Sequence, residues 1–294
     1  MRVLITGVTG LLGSGIAERY IERGFEVHGW VNRTPLPRSL ERGVQPVRTT
    51  KDLHGHYDRL INLAGASVAG GLWTDKRKRL LRSSRIDFTH QLLAPAQQGN
   101  YSIGHLVNGS AIGYYGPTQS PVTETAPCGN DFGAAMVSDW ETEALELTDT
   151  VEKISLIRTG LVLSHRGGML GQLKLPAKLG LSTRLGNGQQ GQSWVHEADW
   201  YGALDWVFDH DLVGPVNLTA PKPVSQQELS QTLARVLNRP CFMRMPGAPL
   251  RLLLQDMADL LLEGQWVIPD RLQQSGYSFE FPELEPALKN LLKG

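Results

Sequence analysis

The opening stretch of the chain constrains its fold more than any other. A short apolar run over residues 3–5 predicts a buried parallel strand, and glycines follow at every third position, at Gly7, Gly10 and Gly13. Residues 11–23 then have the pattern of a helix that ends at a glycine. A glycine-spaced turn between a strand and a helix is typical of proteins that bind dinucleotides.

Each of the three glycines has a separate physical role in this interpretation. Gly7 permits a tight turn, Gly10 lets the backbone approach a pyrophosphate, and Gly13 lets the helix pack closely on the strand. The start of the helix offers unpaired N–H groups and a partial positive charge to the phosphates. A glycine-rich turn without a ligand is the alternative, but the position between an N-terminal strand and a helix favours dinucleotide binding.

The end of the second strand, predicted over residues 25–31, indicates which dinucleotide binds. An Asp or Glu here would bind the ribose hydroxyls of NAD, and the sequence has Asn32 and Arg33 instead. An arginine can pair with the 2′-phosphate of NADP. We therefore predict NADP (NADPH) as the cofactor, and a solvated loop arginine is the alternative role of Arg33.

Strands and helices continue to alternate along the chain, which is the pattern of a parallel α/β sheet. Further strands are predicted over residues 45–48, 58–63, 105–109, 153–159 and 216–218. Helices are predicted over residues 73–98, 131–147, 197–209, 225–237 and 249–262, and residues 284–292 close the chain. We predict a Rossmann-type, doubly wound parallel sheet over residues 1–163, to which residues 193–220 return. Residues 164–294 form a smaller mixed C-terminal substrate lobe in this prediction, with a small helical domain from about residue 246.

The carboxyl ends of parallel strands bind the ligands of such sheets. One predicted strand runs into Ala64 and Gly65, which leave room for an adenine or a ribose. Another ends in Ser110, with Tyr114 just beyond it, and this is a candidate polar cluster. Tyrosines at strand ends also pack well without a ligand, which is the alternative. On the helix predicted over residues 73–98, Arg85 stands apart from a basic run that we interpret as a solvated face.

The charge balance and the cysteine count limit the partners of the chain. Lys and Arg together number 29, as do Asp and Glu, so there is no global electrostatic reason to expect nucleic acid or a membrane. Cys128 and Cys241 are too few for a disulfide framework or for a metal site of their own, and we predict no metal. No apolar stretch approaches the roughly 20 residues of a membrane span, and the N-terminus lacks a signal-peptide pattern. We therefore expect a cytoplasmic protein.

Several motifs, taken in order, give the chain a resemblance to a known superfamily. They are T-G-V-T-G-L-L-G, N-L-A-G, S-A-I-G-Y-Y-G, D-W-E, R-T-G-L-V-L, S-W-V-H and P-V-N-L-T-A-P. They resemble the extended, atypical short-chain dehydrogenases/reductases, which are NAD(P)-dependent epimerase/dehydratase-like proteins. More closely, the chain is similar over essentially its whole length to the YfcH-like epimerase family, whose C-terminal segment is a domain of unknown function.

The resemblance implies an NADP-binding Rossmann domain and assigns cofactor contacts by matching motifs. The residues implied at the pyrophosphate are Gly7, Thr9, Gly10, Leu11, Leu12 and Gly13. Those implied at the 2′-phosphate and along the adenosine are Asn32, Arg33, Leu63, Ala64 and Gly65, with Arg85 near the cofactor. Those implied at the nicotinamide half are Ser110, Ala111 and Leu161, and His196 falls at a mostly structural position.

The sequence departs from the superfamily pattern at the catalytic pair. A Tyr and a Lys four residues later normally transfer the proton, and a Glu usually follows after four more. Glu141 fits that Glu, which puts Val137 at the Lys position and Gly133 at the Tyr position. Neither can transfer a proton, and the YfcH-like subgroup generally lacks the pair as well. The candidate catalytic residues are therefore Ser110 and Tyr114, and Asp139 is a further candidate that is more often solvated or capping in such a position.

Two functions from different classes remain open on these grounds. The first is an NADP-dependent oxidoreductase or epimerase with an unconventional proton donor, acting on a small polar substrate that is sugar-linked or of another kind. The second is a cofactor-binding protein without catalysis, such as a sensor of the redox ratio or an interaction module. The protein is expected to be a monomer or a homodimer.

Overall fold

The computed structural model describes residues 1–32, 34–146 and 150–293 of the chain. Its centre is a sheet of seven parallel strands, in the order β11-β6-β5-β4-β1-β2-β3. The sheet strands are β1 (Arg2–Thr6), β2 (Glu26–Trp30), β3 (Val44–Val47), β4 (Gly55–Asn62), β5 (Tyr101–Ala111), β6 (Lys153–Thr159) and β11 (Gly214–Leu218). Strand order reverses between β1 and β4, as in a doubly wound Rossmann fold, so the predicted fold class is confirmed.

Helices cover both faces of this sheet. The helices are α1 (Leu11–Glu22), α2 (Asp75–Ser83), α3 (Ile86–Gln97), α4 (Phe132–Leu145), α5 (Gly168–Lys178), α6 (Glu197–Asp209), α7 (Gln226–Val236), α8 (Gly247–Leu254), α9 (Asp259–Leu262), α10 (Asp270–Gln274) and α11 (Leu284–Lys293). One apolar core lies between the sheet and α1 and α6. A second lies between the sheet and α3 and α4. Both faces of the sheet are therefore buried, which explains the consecutive apolar residues 3–5 of β1.

Short strands and the remaining helices build the later part of the chain. The short strands are β7 (Leu161–Ser164), β8 (Thr183–Leu185), β9 (Gly191–Gln192), β10 (Trp194–His196), β12 (Val224–Ser225) and β13 (Met243–Met245). They form three two-stranded sheets, β10 with β7, β12 with β9, and β13 with β8. A third apolar core joins α5, α7 and α11. Because β11 pairs with β6, the late chain returns to the edge of the central sheet after these elements.

Two predicted helices are wrong in their continuity. The helix expected over residues 73–98 is two helices, α2 and α3, which are separated at Ser84 and Arg85. The helix expected over residues 249–262 is interrupted at Gln255, whose φ is +50°. Among the described helices, none is both long enough and apolar enough to span a membrane.

Candidate functional site

A turn with three glycines joins β1 to α1, and its geometry depends on them. Gly7 has a φ of +67°, in the left-handed region that other residues rarely adopt. A Cβ built on Gly13 would lie 2.2 Å from the Gly7 carbonyl oxygen, so α1 can approach the turn this closely only with glycine there. Gly10 donates its N–H to the same oxygen at 2.8 Å. The tight turn expected at Gly7 and the close helix packing expected at Gly13 are both present.

The first turn of α1 is open to an anionic ligand. Its N-cap is Gly10, so no side chain caps the free N–H groups of this turn, and the turn contains no acidic residue. Gly10 is exposed, whereas Thr9, Leu11 and Leu12 are half-buried around it. Uncapped N–H groups and the positive end of the helix dipole together favour a bound phosphate. These residues fit the pyrophosphate of a dinucleotide.

Polar contacts fix the end of β4 beside this turn. Thr6 Oγ1 accepts hydrogen bonds from the N–H groups of Leu63 and Ala64, at 3.0 and 3.1 Å. The same hydroxyl donates to Asn62 Oδ1 at 2.7 Å. A Cβ on Gly7 would lie 2.8 Å from the Leu63 carbonyl oxygen. The residues predicted at the pyrophosphate and those predicted along the adenosine are therefore neighbours in the structure.

Arg85 reaches the same strand end from the junction of α2 and α3. Its guanidinium donates to the carbonyl oxygens of Leu81 and Ala66, both at 3.1 Å. A Cβ on Gly65 would lie 2.9 Å from Arg85 Cζ, so Gly65 leaves room for this side chain. Burial lowers the pKa of Arg85 to about 10, which still leaves it charged at neutral pH. Arg85 thus braces the loop after β4.

The other predicted cofactor contacts lie at further strand ends. Asn32 follows β2 and is exposed, and Arg33 lies outside the described residues. Ala111, the last residue of β5, pairs with Thr159 at the end of β6, and Leu161 follows two residues later. Ala111 and Leu161 are both half-buried. The structure therefore brings them to the same edge of the sheet.

Ser110 is part of a buried ion pair. Its hydroxyl donates to Glu141 Oε1 at 2.5 Å, and the carboxylate also accepts two hydrogen bonds of 2.8 Å from the Arg158 guanidinium. The three residues are 2–6% exposed. Burial alone would lower the pKa of Arg158, but its hydrogen bonds and charge interactions with Glu141 and Tyr115 together outweigh burial and raise that pKa above its usual value. The proton of Ser110 is directed at Glu141, and its catalytic role stays a prediction.

Tyr114 lies between this ion pair and an apolar cluster. Arg158 Cζ stands 3.5 Å above the centroid of the Tyr114 ring. The ring also packs against a cluster that contains Met136 and Val137, and Phe132 borders the same cluster. Tyr114 is half-buried, and none of the described residues forms a hydrogen bond with its hydroxyl. This hydroxyl is therefore not committed to another described side chain.

The two residues at the usual catalytic positions, Gly133 and Val137, lie on α4, and neither is an acid or a base. Val137 is 3% exposed and belongs to the cluster that packs against Tyr114. Gly133 stands in the first turn of α4, one turn earlier. Asp139 forms an ion pair with Arg82 at 2.5 Å, and both side chains are largely exposed. Asp139 is thus committed to a surface ion pair.

His196 has the structural role that was expected of it. Its Nδ1 accepts a hydrogen bond of 3.0 Å from the Ala198 N–H and so caps α6. Its ring stacks on Phe281 with centroids 3.9 Å apart.

Elsewhere, His90, Glu143 and Glu146 are close enough together to bind a metal ion, on the surface of α3 and the end of α4. His90 and Glu143 already form an ion pair of 2.8 Å there.

These features agree with a comparison to known families. The model of the NAD dependent epimerase/dehydratase family matches residues 3–218. The chain belongs to this family. A second family model, a domain of unknown function (DUF1731), matches residues 245–291 of this epimerase-family chain. The resemblance inferred from the motifs is confirmed, and a nicotinamide dinucleotide is the class of cofactor for this site.

Named relatives match the epimerase-family chain over nearly its whole length. Epimerase family protein Mb2239 of Mycobacterium bovis is 35% identical over 291 residues, which cover 97% of this chain and 96% of the relative. Epimerase family protein MW0731 of Staphylococcus aureus is 33% identical over 300 residues, which cover 99% and 98%.

Solved structures of the family share the fold. The crystal structure of human epimerase family protein SDR39U1 (isoform 2) with NADPH has a TM-score of 0.87 and 29% identity, over 100% of this chain and 99% of that one. The UDP-N-acetylglucosamine 4-epimerase of Methanobrevibacter ruminantium has a TM-score of 0.79 at 17% identity, over 99% and 97%, and at this identity it shows the fold alone.

Sequence reasoning missed part of the buried network in this epimerase-family chain. Arg158 Nη1 donates to the Tyr115 hydroxyl at 3.0 Å, and that hydroxyl donates to Asn217 Oδ1 at 2.7 Å. The signal was an arginine within a buried strand, because such a charge needs a partner. The partner could not be read from the sequence, since Glu141 and Asn217 lie on α4 and β11.

Proposed function

We propose that this chain is an NADP-dependent oxidoreductase or epimerase of the extended short-chain dehydrogenase/reductase type that works without the usual Tyr-x-x-x-Lys pair. The observation that carries the proposal is the first turn of α1, which has neither a cap nor an acid and starts from the Gly7–Gly13 contact. NADP(H), when bound, supplies or accepts a hydride. The residues of the chain bind and orient it and handle the proton.

The choice of NADP over NAD is supported by the end of β2. No acidic residue stands there to bind a ribose 2′-hydroxyl, and the exposed Asn32 is followed by Arg33 in the sequence. An arginine can bind a 2′-phosphate through two hydrogen bonds. The human neighbour, whose structure contains NADPH, adds support for this choice.

Proton transfer is proposed for Tyr114. Tyr114 follows the end of β5, at the edge where parallel sheets bind their ligands. No described side chain forms a hydrogen bond with its hydroxyl. Ser110 stands four residues earlier and is tied to Glu141, so we propose that it supports the strand end and contributes to the site from there. The substrate is proposed to be a small polar molecule bound between this strand end and the later part of the chain.

A second candidate function is a cofactor-binding protein without catalysis. The observation that favours it is the apolar surrounding of α4, where Val137 is buried among Met136 and Leu81 at the position of the usual lysine. A protein of this kind would report the ratio of NADPH to NADP⁺ through a binding partner.

Titration of the nicotinamide fluorescence of NADPH and NADH separates the possibilities. We expect NADPH to bind at least about tenfold more tightly than NADH, and Arg33→Ala to remove most of that preference. NADPH oxidation is then followed with a panel of aldehydes and ketones, in the wild type and in Tyr114→Phe. Epimerisation of nucleotide sugars consumes no cofactor overall and is followed in the same proteins by analysis of the sugar products. Tight binding without turnover of any of these compounds favours the non-catalytic candidate, and no affinity for NADPH or NADP⁺ contradicts both.

A further inference from the structure

The ring of Tyr114 is in contact with a cation that does not come from α4. In the usual arrangement of the superfamily, a lysine on that helix stands beside the catalytic tyrosine, and the residue here is Val137. The cation beside Tyr114 is the Arg158 guanidinium, which extends from β6 and stands 3.5 Å above the ring centroid. Arg158 is 2% exposed, so the contact is shielded from water.

Hydrogen bonds from all three of its nitrogens fix the orientation of this guanidinium. Nε and Nη2 donate to the two oxygens of Glu141, and Nη1 donates to the Tyr115 hydroxyl at 3.0 Å. Ser110 holds the same carboxylate from the end of β5. The plane that stacks on Tyr114 is therefore fixed by contacts from β5, α4 and the turn after β5. The Tyr115 ring meets the Tyr114 ring edge-on, with centroids 5.4 Å apart.

We propose that the Arg158–Glu141 pair is a positioning clamp for the Tyr114 ring, with Arg158 as the positioning residue that supplies, from β6, a cation beside the tyrosine. This inference rests on the proposed function only for the assignment of proton transfer to Tyr114. The clamp acts through the planar guanidinium, which an ammonium group cannot replace because it has no flat face to stack on a ring.

Stability alone gives no reason for this arrangement. A buried ion pair often adds little to stability compared with apolar side chains of similar volume. Leucine or methionine could fill the space beside Tyr114, which already contacts an apolar cluster on α4. A flat and locked cation contributes orientation that those side chains do not. The consequence is a tyrosine ring with one preferred position before any ligand arrives.

Fluorine NMR of protein labelled with 3-fluorotyrosine tests the clamp without relying on turnover. The chain has seven tyrosines, and the Tyr114 resonance is assigned by its loss in Tyr114→Phe. We expect one narrow Tyr114 resonance in the wild type and a broadened or split one in Arg158→Lys. NADPH is then added as the probe, and we expect the wild-type resonance to shift while it stays single. With any carbonyl compound that the wild type reduces, kcat is expected to fall by about 100-fold in Arg158→Lys while the KM for NADPH stays unchanged.

Arg59→Lys is the matched control. Arg59 is 6% exposed, is ion-paired with Asp209 at 2.8 Å and has its Cζ 4.4 Å from the centroid of the Phe208 ring, on the side of the sheet that α1 and α6 cover. The Arg59→Lys variant should show the same Tyr114 resonance as the wild type. If Arg158→Lys does not fold, Arg158→Met combined with Glu141→Leu removes both charges together and should give the same broadening.

The outcomes separate the clamp from the proposed function. A narrow, single Tyr114 resonance in a folded Arg158→Lys or in the double variant overturns the clamp. A broadened resonance with an unchanged kcat supports the clamp and overturns the assignment of proton transfer to Tyr114. If NADPH binds to the wild type without shifting the Tyr114 resonance, the assignment of proton transfer to Tyr114 is likewise overturned, and the clamp is still supported.

Discussion

Gly13 shows how one residue serves packing at the expense of helix propensity. Glycine inside a helix is less favourable than alanine by about 1 kcal/mol. At this position a Cβ would lie 2.2 Å from the Gly7 carbonyl oxygen and 2.8 Å from its carbonyl carbon. Both atoms belong to the backbone and cannot move aside without opening the turn. Alanine would therefore push α1 away from β1 and displace the N–H groups at its start.

The first prediction compares Gly13→Ala with Gly171→Ala. Gly13→Ala should destabilise the fold by about 1–3 kcal/mol, because of overpacking, and should abolish measurable NADPH binding. Gly171 is also helical, but a Cβ there meets nothing within 4 Å, so Gly171→Ala should stabilise by up to about 1 kcal/mol. Urea unfolding and NADPH fluorescence measure the two effects. Equal stability changes in the two variants would contradict the steric explanation.

His105 is a buried histidine whose neutral form the fold requires. Ser155 Oγ donates to the Leu212 carbonyl oxygen at 2.8 Å, so it must accept from His105 Nε2–H, also at 2.8 Å. The unprotonated Nδ1 is then buried without a hydrogen bond among the described residues, 3.8 Å from an Asp211 carboxylate oxygen. Burial lowers the pKa of His105 from 6.5 to about 4, although Asp211 opposes the shift.

The second prediction is a loss of stability in acid that depends on His105. Its folded pKa lies below its unfolded pKa, so the folded state binds fewer protons between them. This stability is fully present above pH 6.5 and is lost as the pH falls towards about 4, by up to about 3 kcal/mol. His105→Gln keeps a donor for Ser155 and should flatten that decline in urea unfolding between pH 7 and pH 4.5. His56→Gln, at an exposed histidine, controls for loss of an imidazole, and an equal decline in all three proteins would refute the assignment.

At the level of elements, the sequence predicted the seven strands of the central sheet and most helices, but not the six short strands, α5, α10 or the points where helices break. Apolar runs and glycines locate the seven strands of the sheet, because they reflect local geometry. The break between α2 and α3 depends on contacts with a distant loop. Ser84 Oγ accepts from the Ala66 N–H, and Arg85 donates to the carbonyl oxygens of Leu81 and Ala66. No helical period contains that information.

Part of the candidate site could likewise be predicted from the sequence, and part could not. The glycine turn and the loop after β4 could be predicted, since they are contiguous in sequence and have little choice of conformation. The ion pair of Glu141 and Arg158 could not, because its members lie 17 residues apart on a helix and a strand that meet only after folding. The contact between Arg158 and Tyr114 likewise joins β6 to the turn after β5, with α4 between them in the sequence.

The third prediction concerns the charge at the N-terminus of α1. Gly10 has a φ of −81° and a ψ of 171°, which other residues adopt easily, but a Cβ there lies 3.1 Å from the Gly7 carbonyl oxygen. Gly10→Asn and Gly10→Asp have the same contact and both cap the helix. Only the aspartate repels phosphates, so its NADPH affinity should be about tenfold lower than that of the asparagine variant. Titrations of the pair measure the difference, and equal affinities would show that no phosphate binds there.

For the whole molecule, a segment near the C-terminus joins the later part of the chain to the central sheet. The Trp266 N–H donates to Thr118 Oγ1 at 2.8 Å, and the Val267 N–H donates to Ser193 Oγ at 2.7 Å. Leu272 then enters the apolar core that α1, α6 and the sheet share, and its exposure is 0%. This core contains residues from the regions matched by both family models, so the two regions should unfold together.

The fourth prediction tests that coupling with Leu272→Ala and, as control, Leu252→Ala. Leu272 is fully buried in the shared core, and its truncation should cost about 2–5 kcal/mol. Leu252 is 82% exposed on α8, so its truncation should change stability by no more than about 0.5 kcal/mol. In Leu272→Ala, urea should release NADPH and unfold the helices in one transition, shifted to lower urea, because the cofactor turn and the C-terminal segment share one core. NADPH release is followed by fluorescence and unfolding of the helices by circular dichroism. Two separate transitions, the earlier of which leaves NADPH bound, would mean that residues 245–291 fold independently of the sheet.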